Sequence, residues 1–373
     1  MTSASILRKI DWILVLSTLP LMAAGLIAMK SLSPVEGAGD YFFLRQLAWI
    51  AVGLAVFFWF SFSDLRWLKN SVVLFSLYVF AAVSLVSLLI LSLKVKGASS
   101  WFTLGLFSLE PVEPLKIILI LVLAKYFSRR HIEIANIKHI IISGFYAFLP
   151  AGLVFLQPDL GSALIIIFLW LAMILVSGVS KKHLLFLVLA AVVLSSFLWF
   201  YALEPYQRSR IYSFVNPYLD PRGAGYQSIQ TTIAVGAGGL WGSGIGFGSQ
   251  SRLEFLPEHQ TDFIFAAFAE EWGFIGALLL FFFFAVIVWR VAKIGSRAGG
   301  NFERLYSVGI NTLLVAQFFI HVGMNVGILP ITGLSMPFMS YGGSFLITIF
   351  AALGVLTSFG IRSSFSASSA EDS

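Results

Sequence analysis

A few ionisable residues stand where the sequence is otherwise apolar, and their spacing suits charge pairing or acid–base chemistry. Glu113 and Lys116 are three residues apart in an apolar run, so a helix would place both side chains on one face. Asp262 stands where the polar run Pro-Glu-His-Gln-Thr-Asp meets a long apolar segment. A charged side chain inside a bilayer costs about 2.5–3.5 kcal/mol, so such residues usually face a bundle interior and mark function.

Each of these residues also has a purely structural interpretation. Glu113 and Lys116 can form a buried pair that only supports the fold, or Lys116 can hold an anionic group while Glu113 sets its position. Asp262 can favour the first turn of a helix, where the macrodipole is worth about 0.3–1 kcal/mol. Against that stands the segment before it, which carries Arg208, Arg210, Arg222 and Arg252. Cations near a carboxylate indicate an anionic substrate.

The remaining polar features favour structural roles. Asp159, in QPDLGSA, is predicted to be a helix N-cap. Glu270 lies eight residues beyond Asp262, about 12 Å along a helix, so we interpret Glu270 and Glu271 as structural. The glycine-rich run at 236–248 matches neither a phosphate loop nor a dinucleotide fingerprint, so no nucleotide cofactor is expected. The run predicts a flexible re-entrant or hinge segment in the outer loop.

The composition identifies the elements that must position these residues. Hydrophobic residues make up 58% of the 373 and charged residues only 11%, against about 25% in soluble domains. The sequence therefore predicts an all-α integral membrane protein, a polytopic bundle of about ten transmembrane helices in one domain, 1–373. A large extracytoplasmic loop, 204–261, joins helices 7 and 8, and 362–373 is predicted to be a disordered cytoplasmic tail. The predicted spans are 11–30, 43–62, 71–93, 113–127, 139–156, 161–177, 183–203, 262–290, 305–328 and 337–360.

Charge sets the predicted orientation. The net charge is +6, and most basic residues fall at the span ends that are cytoplasmic when the N-terminus is inside. Both termini are therefore predicted to be cytoplasmic, and Asp262 is predicted to face outward. Because membrane topology accounts for the basic excess, no nucleic acid partner is predicted. The chain has no cysteine, which excludes disulfides and thiolate sites, and its five histidines lack metal-ligand spacing.

One stretch resembles a known family closely. Residues 323–344, GMNVGILPITGLSMPFMSYGGS, resemble the C-terminal signature of the SEDS proteins, named for shape, elongation, division and sporulation. The segments EPVEPLK, QPDLGSALI and FLPEHQTDFIFAAFAEEWGFIG follow the family's order, and the match covers nearly the whole chain. The signature residues are Pro330, Gly333, Pro337, Ser340, Tyr341, Gly342 and Gly343.

The resemblance implies a ten-helix peptidoglycan glycosyltransferase of the bacterial cytoplasmic membrane. Such an enzyme polymerises lipid II into β-1,4 glycan strands on the outer face, with a class B penicillin-binding protein as its transpeptidase partner. Its catalytic aspartate corresponds to Asp262, and Glu113 and Lys116 match its charged pair. The short tails favour the elongation branch, working with other elongation-complex proteins, over the division branch. Where the family usually has Gln, this chain has Glu110.

The diphosphate of such a donor needs positive charge beside it. Candidate substrate-binding residues are Arg45, Arg208, Arg210, Asp159 and Trp101. A divalent cation, Mg²⁺ or Mn²⁺, can serve the same purpose, and the sequence does not identify a metal site. Two competing classes stay open from the residues: a transporter that flips lipid II, because an outward polar cavity suits a carrier, and a scaffold that only recruits the synthase.

Overall fold

The protein was analysed as a computed structural model, in which residues 7, 9–31, 38–91, 102–104, 107–129, 137–253 and 255–371 are described. Its helices and strands, in chain order, are α1 (Trp12–Ser31), α2 (Ala38–Phe62), α3 (Ser71–Leu91), β1 (Phe102–Leu104), β2 (Phe107–Leu109), α4 (Val112–Ser128), α5 (Ile137–Leu156), α6 (Leu160–Val176), α7 (Lys181–Phe197), α8 (Pro205–Val215), α9 (Tyr226–Ala237), α10 (Ser249–Arg252), α11 (Ile264–Ser296), α12 (Asn301–Asn325) and α13 (Gly343–Glu371).

The ten predicted spans correspond to α1–α7 and α11–α13, so the ten-helix membrane bundle is confirmed. Eight of these helices are long and apolar enough to cross a membrane within the described ranges. The other two, α4 and α6, have 17 residues each, about 25 Å of helix, and most of their side chains are buried by neighbouring helices. The prediction missed one small element, the antiparallel pair β1–β2, in which Phe102 faces Leu109.

The buried core runs along α4, α11, α12 and α13, whereas α7 lies at the periphery. No side chain of α7 is buried, although the helix is strongly apolar and continues as a π-helical turn to Ala202. An apolar helix that the rest of the protein leaves uncovered is stable only when lipid surrounds it. The last helix continues to Glu371, well into the range 362–373 that the composition predicts to be disordered.

The 204–261 loop is folded rather than extended. It contains α8, a 3₁₀ turn at Pro217–Leu219, α9 and α10. A capping box starts α8: the Glu204 side chain and the Gln207 side chain each bond the other residue's backbone N–H. The loop therefore has a defined structure of its own.

The glycine-rich segment 236–248 is packed tightly against α11, so the flexibility predicted for it is wrong, and of the two predicted forms the re-entrant segment fits and the hinge does not. Gly273, with φ of +64°, interrupts α11, and the segment enters that break. The Ser243 N–H donates to the Glu270 carbonyl at 2.9 Å, and the Phe274 N–H donates to the Gly239 carbonyl at 2.9 Å. Glycine is needed because a Cβ on Gly238 would lie 1.9 Å from the Ala269 carbonyl oxygen.

Glu270 and Glu271 have structural roles, as predicted, and hold this segment and the short helix α10 that follows it. The Glu270 carboxylate is fully buried and accepts hydrogen bonds from the backbone N–H groups of Gln250 and Ser251 and from the Ser251 hydroxyl, at 2.7–3.1 Å. Glu271 accepts from the Ser31 hydroxyl and the Gly246 N–H, at 2.9 and 2.6 Å. Both carboxylates are engaged in these structural hydrogen bonds, so neither is available as a reacting group.

Substituting Gly238 tests this packing against a matched neighbour. We expect Gly238→Ala to lower the free energy of unfolding by about 3 kcal/mol or more, because two backbones must separate to admit the methyl group. Gly236→Ala is the control, since a Cβ there meets nothing within 4 Å and alanine favours the helix by up to about 1 kcal/mol. Thermal unfolding of both variants in detergent measures the difference; equal melting temperatures would contradict the packing.

Candidate active site

Asp262 lies just before α11 and is half-buried. The N-cap of that helix is Phe263, so Asp262 precedes the first turn rather than lying in it, and the interpretation of this residue as a first-turn charge is wrong. Its backbone is held from α12: the Asn325 side-chain amide donates to the Asp262 carbonyl at 3.0 Å, and its oxygen accepts from the Ala266 N–H at 3.1 Å. Sequence analysis missed Asn325, because only the fold brings it to this helix start.

The signature segment is the second support of Asp262. The Ser340 hydroxyl donates to the Thr261 carbonyl and accepts from the Met336 N–H, both at 2.8 Å. The Tyr341 N–H donates to the Gln260 carbonyl at 2.9 Å. The backbone carbonyls of the two residues immediately before Asp262 are therefore held by hydrogen bonds from this segment.

The other signature residues shape the same loop. Gly333 has φ of +72°, a conformation that favours glycine, and a Cβ there would lie 3.5 Å from Asp262 Oδ2, so this turn of the loop lies next to the carboxylate. At Gly343 a Cβ would lie 2.4 Å from the Trp49 ring, so α13 starts in close contact with α2. Pro330, Pro337 and Gly342 lie in the same irregular stretch between α12 and α13.

Glu113 and Lys116 form the predicted ion pair in the first turns of α4. Lys116 Nζ lies 2.8 Å from Glu113 Oε1, and the two residues are 0% and 6% exposed. A buried ion pair is weak evidence for stability on its own, because removing the two charges from water offsets most of their attraction. Its burial beside the site is consistent with either of the interpretations left open by the sequence.

Glu110 connects this pair electrostatically to Asp262. It lies between β2 and α4, and its backbone N–H donates to the Ser344 hydroxyl at 3.2 Å. Burial raises the pKa of the Glu110 carboxyl well above its usual value, the nearby charges of Glu113, Asp159 and Asp262 raise it further, and Lys116 opposes them. Several carboxyl groups therefore lie near one another at one end of the bundle. From the sequence alone, Glu110 has no role beyond its departure from the family's Gln.

Replacing Glu110 tests that clustering. A raised pKa in the folded state means that folding favours the protonated form, so stability is lost as pH rises from the ordinary pKa of Glu towards the raised value. We expect the melting temperature of the wild type to fall across that window and the Glu110→Gln variant to lose this fall. The exposed Glu258→Gln is the matched control and should keep the wild-type slope. An unchanged slope in Glu110→Gln would contradict the cluster.

Two more predicted residues lie near the signature segment. Asp159 is the N-cap of α6, as predicted, with Oδ1 accepting from the Ser162 N–H at 2.9 Å. Two residues further on, a Cβ at Gly161 would lie 2.9 Å from the Thr332 carbonyl oxygen, so this helix start contacts the signature loop. Arg210 reaches the same loop, donating to the Ile331 carbonyl at 3.5 Å. These contacts place Arg210 at the rim of the carboxylate cluster, which consists of Glu110, Glu113, Asp159 and Asp262.

The remaining candidates are less directly placed. The Arg45 guanidinium lies over the Tyr41 ring, 4.2 Å from its centroid. Arg208 donates to the Phe200 carbonyl at 3.3 Å, and its Nε is buried with no hydrogen-bond partner in the described structure. Neither contact brings the cation to Asp262, so their proposed substrate role stays a prediction. Trp101 lies outside the described residues.

The fold and the site together therefore define a multi-pass membrane protein with a polar site at one end of its helical bundle. The model of the FtsW/RodA/SpoVE cell cycle proteins matches residues 11–364. The chain belongs to this family, as the signature segment indicates.

Individual relatives cover most of the chain. Stage V sporulation protein E of Bacillus subtilis is 38% identical over 93% of this chain and 95% of its own length. Peptidoglycan glycosyltransferase MrdB of Escherichia coli is 38% identical over 76% of each chain. Among solved structures, a chain from a peptidoglycan synthase complex that coordinates polymerization and crosslinking is 30% identical, with a TM-score of 0.79 over 94% and 97% of the two chains. The rod shape determining protein RodA of Thermus thermophilus is 26% identical, with a TM-score of 0.71 over 95% and 97%.

Proposed function

We propose that this protein is a peptidoglycan glycosyltransferase that polymerises lipid II into β-1,4 glycan strands at the outer face of the cytoplasmic membrane. The observation that carries the proposal is the position of Asp262, a half-buried carboxylate just before a membrane helix. Asn325 holds its backbone carbonyl, and Glu110 links it electrostatically to the buried Glu113–Lys116 pair. A lipid-linked sugar needs a site at this boundary, because its tail lies in the bilayer and its sugars lie in water.

The chemistry needs one base and one stabilised leaving group. The donor sugar is α-linked to a polyprenyl diphosphate and the product is β-linked, so a single displacement inverts the anomeric carbon. Asp262 accepts the proton of the acceptor 4-hydroxyl as that oxygen forms the new bond to the anomeric carbon. The bond to the diphosphate oxygen breaks, and the diphosphate leaves with its electron pair.

Positive charge near the leaving diphosphate would lower the barrier further. Lys116 is the buried cation of the site, and Arg210 lies at its rim. Arg45 and Arg208 stay further candidates. A divalent cation also stays a proposal, since no three His, Asp or Glu side chains in the described ranges are grouped to hold one. Mg²⁺ or Mn²⁺ would then be shared with the diphosphate of the substrate.

The setting of the activity is proposed as well. The positive-inside pattern supports a topology with both termini in the cytoplasm and Asp262 outside. The similarity to a rod shape determining protein supports a role in cell elongation, and the similarity to a chain of a peptidoglycan synthase complex supports a class B penicillin-binding protein as partner.

A polymerisation assay with purified protein and fluorescent lipid II distinguishes a glycosyltransferase from a lipid II transporter. The protein is incubated in detergent with lipid II, its penicillin-binding partner blocked by a β-lactam, and Mg²⁺ or Mn²⁺, and the products are separated by size. We expect a ladder of glycan strands that a muramidase degrades. If no polymer forms while the protein moves lipid II across liposomes, the chain is a transporter. If neither occurs, the scaffold interpretation replaces both.

A further inference from the structure

A groove between α3, α4 and α5 lies at the end of the bundle away from Asp262. It encloses about 310 Å³ and is open on one side, with Leu74, Tyr78, Val122, Tyr126, Ile142 and Tyr146 among its lining residues. Its mouth is near Lys125, twelve residues after Glu113 on the same helix and thus about 18 Å along its axis. The groove is therefore separate from the carboxylate cluster.

Two of the three tyrosines that line the groove have their hydroxyl groups bonded within the protein. The Tyr78 hydroxyl donates to the Tyr146 carbonyl at 3.0 Å, and the two rings pack edge to face with centroids 5.6 Å apart. The Tyr126 hydroxyl is hydrogen-bonded to His139 Nδ1 at 2.9 Å. Together with Leu74, Phe75, Val122 and Ile142, the tyrosine rings give the groove a largely apolar interior.

The mouth of the groove is positively charged. Lys125 and Arg129 are four residues apart on the last turn of α4 and its C-cap, and both line the groove. Among the described residues that act on the charge of Lys125, Arg129 and Lys69 are cations and Glu303 is the one anion. Glu303 also forms an ion pair with Lys69. The rim therefore keeps an excess of positive charge beside an apolar pocket.

We propose that this groove binds an anionic glycerophospholipid, with the headgroup phosphate on Lys125 and Arg129 and one acyl chain along the tyrosines. Basic pockets between transmembrane helices on the cytoplasmic side bind anionic headgroups in this way, each cation contributing about 1 kcal/mol near an anionic surface. A zwitterionic lipid lacks the net charge that the rim selects, and a free phosphate ion lacks the chain that fills the groove. This inference does not depend on the proposed enzyme activity.

Native mass spectrometry of the detergent-purified protein tests the proposal with phosphatidylglycerol and phosphatidylcholine as probes. We expect the wild type to retain phosphatidylglycerol preferentially, and Lys125→Gln/Arg129→Gln to bind it roughly 30-fold more weakly, as two lost cations predict. Lys181→Gln/Lys182→Gln is the matched control, since it removes two cations from the start of α7 and should bind as the wild type does.

Two further variants keep the test decisive if the double variant folds poorly. Arg129 is exposed, so Arg129→Gln should fold normally and weaken phosphatidylglycerol binding roughly fivefold. Ile142→Trp fills the groove and should abolish retention while leaving both cations in place. Equal retention of the two lipids, equal binding by Arg129→Gln and the wild type, or displacement by inorganic phosphate at the lipid's own concentration would each overturn the proposal.

Discussion

Replacing Asp262 with asparagine is expected to slow lipid II polymerisation at least about 100-fold. A positioned general base contributes on the order of 10²–10⁴ in rate, and the amide keeps the size of the carboxylate but does not accept a proton at neutral pH. The supports of this residue act through its backbone and neighbours, from Asn325 and Ser340, so they survive the substitution. The melting temperature and lipid II binding should therefore stay close to those of the wild type.

The rate is measured at saturating lipid II, so that a loss in turnover is not mistaken for a loss in binding. Asp220→Asn is the control: Asp220 is exposed in the same loop, where its two carboxylate oxygens accept from the N–H groups of Gly223 and Ala224, and the single asparagine oxygen keeps one of these two bonds. It should polymerise at the wild-type rate. A folded Asp262→Asn protein with more than a tenth of the wild-type rate would show that another group is the base.

Removing the charge of Lys116 alone is expected to have the largest effect on stability. Lys116→Met leaves the carboxylate of Glu113 buried without its partner at 2.8 Å, which costs about 3–5 kcal/mol. The double variant Glu113→Gln/Lys116→Met removes both charges and should recover most of that loss. Chemical or thermal unfolding of the single and double variants gives the coupling between the two residues.

The activity of the folded double variant then separates the two interpretations of the pair. We expect it to polymerise poorly, because the site has lost its buried cation near the leaving diphosphate. Wild-type polymerisation by a stable double variant would show that the pair serves only the fold. A Lys116→Met protein as stable as the wild type would instead contradict the cost of an unpaired Glu113.

Much of this architecture could be predicted because the bilayer imposes it. Runs of apolar residues must reach across about 30 Å of hydrocarbon, and this gave all ten spans. The Glu113–Lys116 pair and the Asp159 N-cap were predictable for a similar reason, since both depend on spacing within one helix. Local rules were sufficient wherever the partner lies within one turn.

The rest depends on contacts between distant parts of the chain. The glycines at 236–248 suggest flexibility by themselves, and only the break at Gly273 shows that they fill a gap. The bond from Ser340 to Thr261 joins residues 79 positions apart, and no local pattern identifies that partner. The pKa of Glu110 is raised first by burial and then by Glu113, with smaller contributions from Asp159 and Asp262 on distant segments, and only the fold produces that burial and those neighbours. Arg45 was a candidate by charge alone, and its orientation over Tyr41 is set by packing.

The most direct test of the central claim is polymerisation in vesicles of known orientation. Because α13 starts beside the site and runs away from it, a tag after the C-terminus lies on the membrane side opposite Asp262. Vesicles are sorted by whether the tag is accessible, and lipid II is added from outside. The account predicts glycan strands only where the tag is inside and Asp262 faces the added substrate. Polymer only where the tag is accessible, or lipid II crossing with no polymer in either population, would contradict it.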